Sequence, residues 1–119
     1  CLLSDGSSLE FGTMVWSAGL SPVKVTERLP DFIMKTDRGR LVTDKYLRVK
    51  GQEGKVWAIG DCAEIEGMPL PQLAQVALQQ AKYMARVLDG KLDETDQEFR
   101  FFSLGSMASV GMGIGIYDG

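Results

Sequence analysis

Val56-Trp57-Ala58-Ile59-Gly60-Asp61 and, shortly after it, Pro71-Gln72-Leu73-Ala74-Gln75-Val76-Ala77-Leu78-Gln79-Gln80-Ala81 are the stretches on which the reading of this chain turns. The first is a short apolar run stopped by Gly-Asp, the pattern of a buried strand that delivers a polar loop at its end. The second opens a helix. Leu73, Ala77, Ala81, Met84 and Leu88 recur at intervals of four, four, three and four, which predicts one apolar stripe. Gln72, Gln75, Gln79, Lys82 and Arg86 form a polar stripe on another face. Pro71 suits the first turn, where its missing N–H is not needed, and Asp89-Gly90 suits the stop.

Upstream, Leu2-Leu3-Ser4 and Ser8-Leu9-Glu10 flank Asp5-Gly6, the residue types of a tight hairpin turn. Thr13-Met14-Val15-Trp16 is a second apolar run, expected to be a buried strand ending in the small-residue loop Ser17-Ala18-Gly19. Pro22 to Pro30 reads as irregular or as a short helical turn, and Arg38-Gly39-Arg40 as a turn. Leu41-Val42 and Tyr46-Leu47-Arg48-Val49 are expected to be short strands around Asp44, and Gly51 to Gly54 a polar turn. Downstream, Lys91 to Glu98 is a charged connector, and Phe99-Arg100-Phe101-Phe102 is expected to begin a strand. Gly105-Ser106 then turns the chain into Met107-Ala108-Ser109-Val110. The order predicts the end of an α/β domain followed by the start of a β-rich region.

The 119 residues are 45% hydrophobic and 24% charged, the balance of a globular chain rather than a disordered one. A net charge of −3 gives no electrostatic footprint for nucleic acid. No apolar run is long enough to span a bilayer, and no targeting segment opens the chain. Histidine is absent, which removes the commonest general base and the commonest metal ligand. Cys1 and Cys62 form no CxxC and no zinc spacing, so no metal site is expected; Cys62 reads as a small buried hydrophobe. The chain opens on Cys1 rather than methionine and is read as a piece of a longer protein.

Gly-Asp at the end of a buried strand, with a helix soon after, is a workable nucleotide-binding geometry, because ligands of open α/β sheets lie beyond the strand ends. Gly60 lets a ligand chain approach the backbone, and Asp61 can accept a sugar-like hydroxyl. A plain strand-terminating turn explains the same two residues. The first N–H groups of the helix lack intrahelical partners and can face electron-rich ligand oxygens. Gln75 and Gln79 lie one turn apart and can address one ligand, or can simply lie on the solvated face with Lys82 and Arg86.

These patches resemble the type II (single-subunit) NADH:quinone oxidoreductases, flavoproteins with two dinucleotide-binding domains related to the disulfide reductases. The likeness rests on Val56 to Ala63, on Pro71 to Ala81 with its AQxAxQQ pattern, and on Phe102 to Gly111. Trp16-Ser17-Ala18-Gly19 matches the strand end where the chain returns from the NADH-binding domain to the FAD domain. The resemblance implies a Rossmann-like α/β fold, the C-terminal part of such a flavoprotein. Residues 1–19 would close the NADH-binding domain, 20–90 the FAD-binding domain, and 91–119 would begin a β-rich C-terminal membrane or dimerisation region.

By the same resemblance, FAD is the cofactor, NADH or NADPH the electron donor and a quinone the acceptor. Ala18, Gly19, Gly60, Asp61, Ala74 and Gln75 are implied to bind cofactor, with Asp61 on the ribityl chain and Ala74 and Gln75 presenting the helix N-terminus to the isoalloxazine. Gln75 and Gln79 are implied to border the quinone. Leu73 stands where these enzymes often carry threonine. No residue is assigned an acid or base role. The implied location is a membrane surface, the mitochondrial inner membrane first and a bacterial or plastid membrane next, with a possible homodimer. The two GxGxxG phosphate-binding loops that FAD and NADH need are not in this sequence, and Gly111-Met112-Gly113-Ile114-Gly115 reads as glycine-rich sheet or turn. The isolated chain is therefore expected to be marginally folded and to bind no FAD. A sulfide:quinone or ferredoxin-type reductase, or a flavin-free scaffold, stays open as an alternative; the sulfide enzyme would need a cysteine pair near the flavin.

Overall fold

Two short strands, β1 (Leu41–Thr43) and β2 (Ala63–Ile65), run parallel, with Leu41 opposite Ala63 and Thr43 opposite Ile65. The structure is a computed structural model and describes residues 1–93 and 95–119; of the expected charged connector over 91–98, residue 94 lies outside the described residues. In both strands the first and third residues are buried and the middle one is half-buried, so the pleat turns one face into the core. Arg40, just before β1, fastens the pair. Its guanidinium donates to Glu64 Oε2 at 2.9 Å and also to the carbonyl of Ala63.

Between the strands, the Asp44 carboxylate accepts the backbone N–H groups of Tyr46 and Arg48 at 2.9 and 3.0 Å and pairs with the Arg48 guanidinium at 2.7 Å. This side-chain-built turn forces Leu47 to φ 64, a left-handed conformation rare for a branched apolar residue. Leu47 holds it because its side chain is fully buried. Val56 to Ile59, expected to be a buried strand, is extended but makes only an isolated bridge, at Trp57. It pairs antiparallel with 47–49, Val49 N–H donating to Val56 O and Ala58 N–H to Leu47 O, and does not stand in the parallel pair. Only Ala58 of the run is buried.

A short helix, α1 (Lys24–Glu27), fulfils the helical-turn reading of 22–30, and the long helix is α2 (Ala74–Leu88). Pro71 stands before its N-cap, Leu73, rather than in its first turn. The expected apolar stripe is corrected. Val76, Gln80, Tyr83 and Met84 face the core, whereas Leu73 and Leu88 are exposed. Alanine and leucine are spread around most of this helix, so spacing alone admitted several stripes. The larger Val76, Tyr83 and Met84 side chains fill the core, and Gln80 goes inward because its amide finds a partner.

Leu47, Ile65, Tyr83, Met84, Leu92 and Phe99 form one buried cluster, with the Tyr83 and Phe99 rings edge to face at 5.8 Å. Ile33, Leu41, Val49, Ala58 and Ala63 form a second. The first takes in Ile65 of β2, and the second takes in Leu41 of β1 and Ala63 of β2.

Two of the expected strands are absent, and two of the expected turns are present. Residues 13–16 form no strand and are exposed, because no neighbouring strand among the described residues accepts their backbone hydrogen bonds. Residues 99–102 also form no strand; Phe99 N–H donates to Lys45 O, and the Phe102 backbone is held by the Gln79 amide. The glycine-rich 111–113 is the turn of an antiparallel hairpin between β3 (Ser106–Ser109) and β4 (Gly115–Asp118), in accord with its sequence reading. The Asp5-Gly6 turn is also present, with Leu2 and Ser8 bridged across it.

Candidate functional site

Gly60, Asp61 and Cys62 make a single tight turn that links Ile59 to β2. Gly60 has φ 72, and a Cβ there would touch only Ala77 at an ordinary 3.5 Å, so glycine is needed for the backbone angle rather than for space. Two glutamines of the α2 region hold the turn. Gly60 N–H donates to Gln80 Oε1 at 2.6 Å, and Gln72 Nε2 donates to Asp61 O at 3.0 Å. The Asp61 carboxylate, exposed, has no partner among the described residues.

Asp61 lines a cleft of about 950 Å³ together with Gly19, Pro22, Gly39, Arg40 and Gln72, among others. Two residues proposed from sequence, Gly19 and Asp61, therefore line one cleft; Ala18 adjoins Gly19 but is outside the lining. The Arg38–Gly39 turn closes against Pro22, since a Cβ on Gly39 would lie 2.5 Å from Pro22 Cγ. Cys62 also lines the cleft. It is exposed rather than buried, because the tight turn presents it to solvent while its thiol donates to Ile59 O at 3.3 Å. Cys1 and Cys62 are both free thiols.

Ala74 and Gln75 belong to a second cavity, of about 350 Å³, which they share with Leu73, Leu104, Gly105, Ser106, Met107 and Tyr117. The N-cap Leu73 offers α2 no side-chain hydrogen bond, and the N–H groups of Ala74 and Gln75 take no partner among the described residues. A threonine at position 73 would supply such a cap. Gln79 lines neither cavity.

The amides of Gln75 and Gln79 are not free. Gln79 Nε2 donates to Phe102 O at 2.7 Å and Gln79 Oε1 accepts Phe102 N–H at 3.0 Å. Gln75 Nε2 donates to Gly105 O at 3.0 Å and Gln75 Oε1 accepts Leu104 N–H at 3.0 Å. Gln72 and Gln80 are the functional candidates that sequence reasoning missed. Gln72 was placed on a solvated stripe. Gln80 lies between the buried Val76 and Tyr83, a placement that the helical spacing alone did not reveal.

Among the described residues no helix is long and apolar enough to cross a membrane. A family model described as pyridine nucleotide-disulphide oxidoreductase matches residues 1–81. Type II NADH:quinone oxidoreductase of Staphylococcus aureus strain NCTC 8325 / PS 47 is 36% identical over 125 aligned positions, covering 97% of this chain and 29% of the relative. The protein of the same name from strain MSSA476 is 35% identical over 120 positions, covering 94% of this chain and 28% of the relative. The chain thus spans about 29% of the length of the curated relatives it matches. A parallel strand pair with α2 following it accords with the Rossmann-like α/β fold that the family match implies. With residues 1–81 matched, this chain belongs to the pyridine nucleotide-disulphide oxidoreductase family.

Proposed function

We propose that this chain is the C-terminal part of a longer flavoprotein that carries electrons from NAD(P)H through FAD to a quinone. One observation supports this reading above the others: Gly19 and an unpartnered Asp61 carboxylate share one large cleft. A carboxylate left without a partner beside two tight glycine turns suits a chain bearing hydroxyl groups, so the residues fit the ribityl portion of FAD. The similarity to type II NADH:quinone oxidoreductases over nearly the whole chain supports the substrate assignment.

In this reading Asp61 accepts a ribityl hydroxyl, and Gly60 and Gly19 let the ligand come close. Gln80 of α2, and Gln72 just before it, keep the Gly60–Asp61 turn aimed at the cleft. The unpaired N–H groups of Ala74 and Gln75 orient ligand oxygens at the helix N-terminus. When bound, FAD supplies the two-electron redox chemistry, and the protein supplies position and electrostatics.

The finer assignments belong to the same proposal. Residues 1–19 close the NADH-binding domain, 20–90 belong to the FAD-binding domain, and 91–119 open a C-terminal region that meets the membrane or a second copy. The matched relatives named here are bacterial, so a bacterial membrane surface replaces the mitochondrial inner membrane as the proposed location.

The test is made on the full-length protein. Purified protein should carry flavin absorbance and oxidise NADH or NADPH when a short-chain quinone is added. Flavin-free protein would favour the scaffold reading. Flavin that is reduced by sulfide rather than by NADH or NADPH, or that exchanges electrons with a ferredoxin and none with quinone, would favour another member of the superfamily.

A further inference from the structure

The two glutamines assigned to the quinone on resemblance make both of their amide bonds to the protein's own backbone. Geometry explains why the pairing fits. Side chains at i and i+4 of a helix are separated by about 6 Å along its axis, at roughly 1.5 Å per residue. Alternate residues of an extended chain are separated by about 6.6 Å, at roughly 3.3 Å per residue. Gln79 and Gln75 therefore stand in register with Phe102 and Leu104, and each amide presents a donor and an acceptor as a neighbouring strand would. Tyr117 Oη donates to Leu104 O at 3.2 Å from the hairpin side. The strap so held, 102–105, contributes Leu104 and Gly105 to the wall of the 350 Å³ cavity at the start of α2.

We propose that Gln75 and Gln79 are positioning residues: they clip the 102–105 strap along α2, and they govern acceptor access to the cavity through that strap rather than by hydrogen-bonding a quinone themselves. The inference rests on the quinone reading above. It differs from a direct-contact role in one respect, because removing the backbone partner should have the same effect as removing the glutamine. Phe102 supplies both the N–H and the carbonyl that Gln79 grips. Phe102→Pro deletes the N–H and leaves the glutamine in place.

Two measurements on the FAD-loaded full-length protein decide it. In hydrogen-exchange mass spectrometry, Gln79→Ala and Gln75→Ala should each raise exchange in the peptide over 101–105 about three- to tenfold, the effect of losing one net hydrogen bond. In stopped flow, Gln79→Ala and Phe102→Pro should each change the quinone half-reaction several-fold, with flavin reduction by NADH unaltered, and the double variant should be no worse than either single one. Unchanged exchange overturns the clip. A quinone defect in Gln79→Ala that is absent from a folded Phe102→Pro overturns it in favour of direct contact. Should the wild-type protein reduce no quinone, the functional reading fails by itself, and the exchange experiment still judges the clip.

Discussion

Thr13 to Trp16 and Val56 to Ile59 are close to interchangeable as sequence, yet the chain treats them in opposite ways. Trp57 is half-buried and Ala58 fully buried, whereas Val15 and Trp16 are 87% and 77% exposed. The contrast extends to whole regions. Among the described residues every buried side chain falls between Thr26 and Phe99, and none lies in 1–25 or 102–119. Val56 to Ile59 finds the 47–49 segment within its own chain to accept its hydrogen bonds; 13–16 finds no such partner. An apolar run is drawn towards the interior only where something pairs with it. In the proposed longer flavoprotein, the exposed Val15, Trp16 and hairpin side chains are where the remainder of the protein, the membrane or a second copy would pack.

The largest effect should come from the interior. Leu47→Ala removes a fully buried side chain from the main cluster and should lower the stability of the full-length protein by about 2–5 kcal/mol in urea unfolding. Leu47→Gly sharpens the point. It removes at least as many atoms but relieves the left-handed backbone, so it should be no worse than alanine. A loss below about 1 kcal/mol in both would break the division between interior and flanks.

Gln80→Leu should cost about 1–3 kcal/mol in the same experiment, because it keeps the bulk but leaves the Gly60 N–H without its acceptor. Equal stability of Gln80→Leu and wild type would mean that the turn is set by β2 alone.

Tyr83 gives the interior a pH signature. Burial raises its hydroxyl above the usual 10.0, with the nearby Tyr46 and Asp44 adding to the shift. The protonated form is favoured in the folded state, so this contribution is complete below about pH 10 and is lost as pH rises through the folded value. Stability should therefore fall at alkaline pH, and fall less steeply in Tyr83→Phe; identical alkaline slopes would place the cause elsewhere.

The smallest effect belongs to the flank. Trp16→Ser in the isolated chain should change unfolding by no more than about 0.5 kcal/mol, against the 3–5 kcal/mol typical of a buried tryptophan.

The local chemistry of the fold was legible where one residue dictates its backbone. Asp5-Gly6, Arg38-Gly39-Arg40 and Gly111 to Gly113 all turn as read, since glycine or a short acceptor side chain decides the matter within a few residues. The helix was legible in extent to within a turn. Its buried face was not, because Leu73 and Leu88 carry as much apolar signal as Val76 and Met84, and only packing ranks them. Strands were least legible. β2 falls on Ala63–Ile65, whose sequence is no more strand-like than 13–16, because parallel pairing with β1 is a long-range event that local composition does not encode. At the site, Gly60, Asp61, Gln75 and Gln79 could be picked out as a group. That Gln80 points inward and that Gln75 and Gln79 spend their amides on 102–105 depends on partners some twenty to thirty residues away.

In the proposed flavoprotein, the Gly60–Asp61 turn, aimed by Gln80 of α2, holds FAD by its ribityl chain. The most direct test is flavin retention by full-length wild-type and Asp61→Ala proteins after dilution, read from the absorbance of released FAD. Losing a charge-assisted hydrogen bond of about 1.5–3 kcal/mol should weaken FAD binding roughly ten- to 150-fold, while the variant stays folded in excess FAD. Equal retention by the two proteins would contradict the claim and return Gly60-Asp61 to the status of a strand-ending turn.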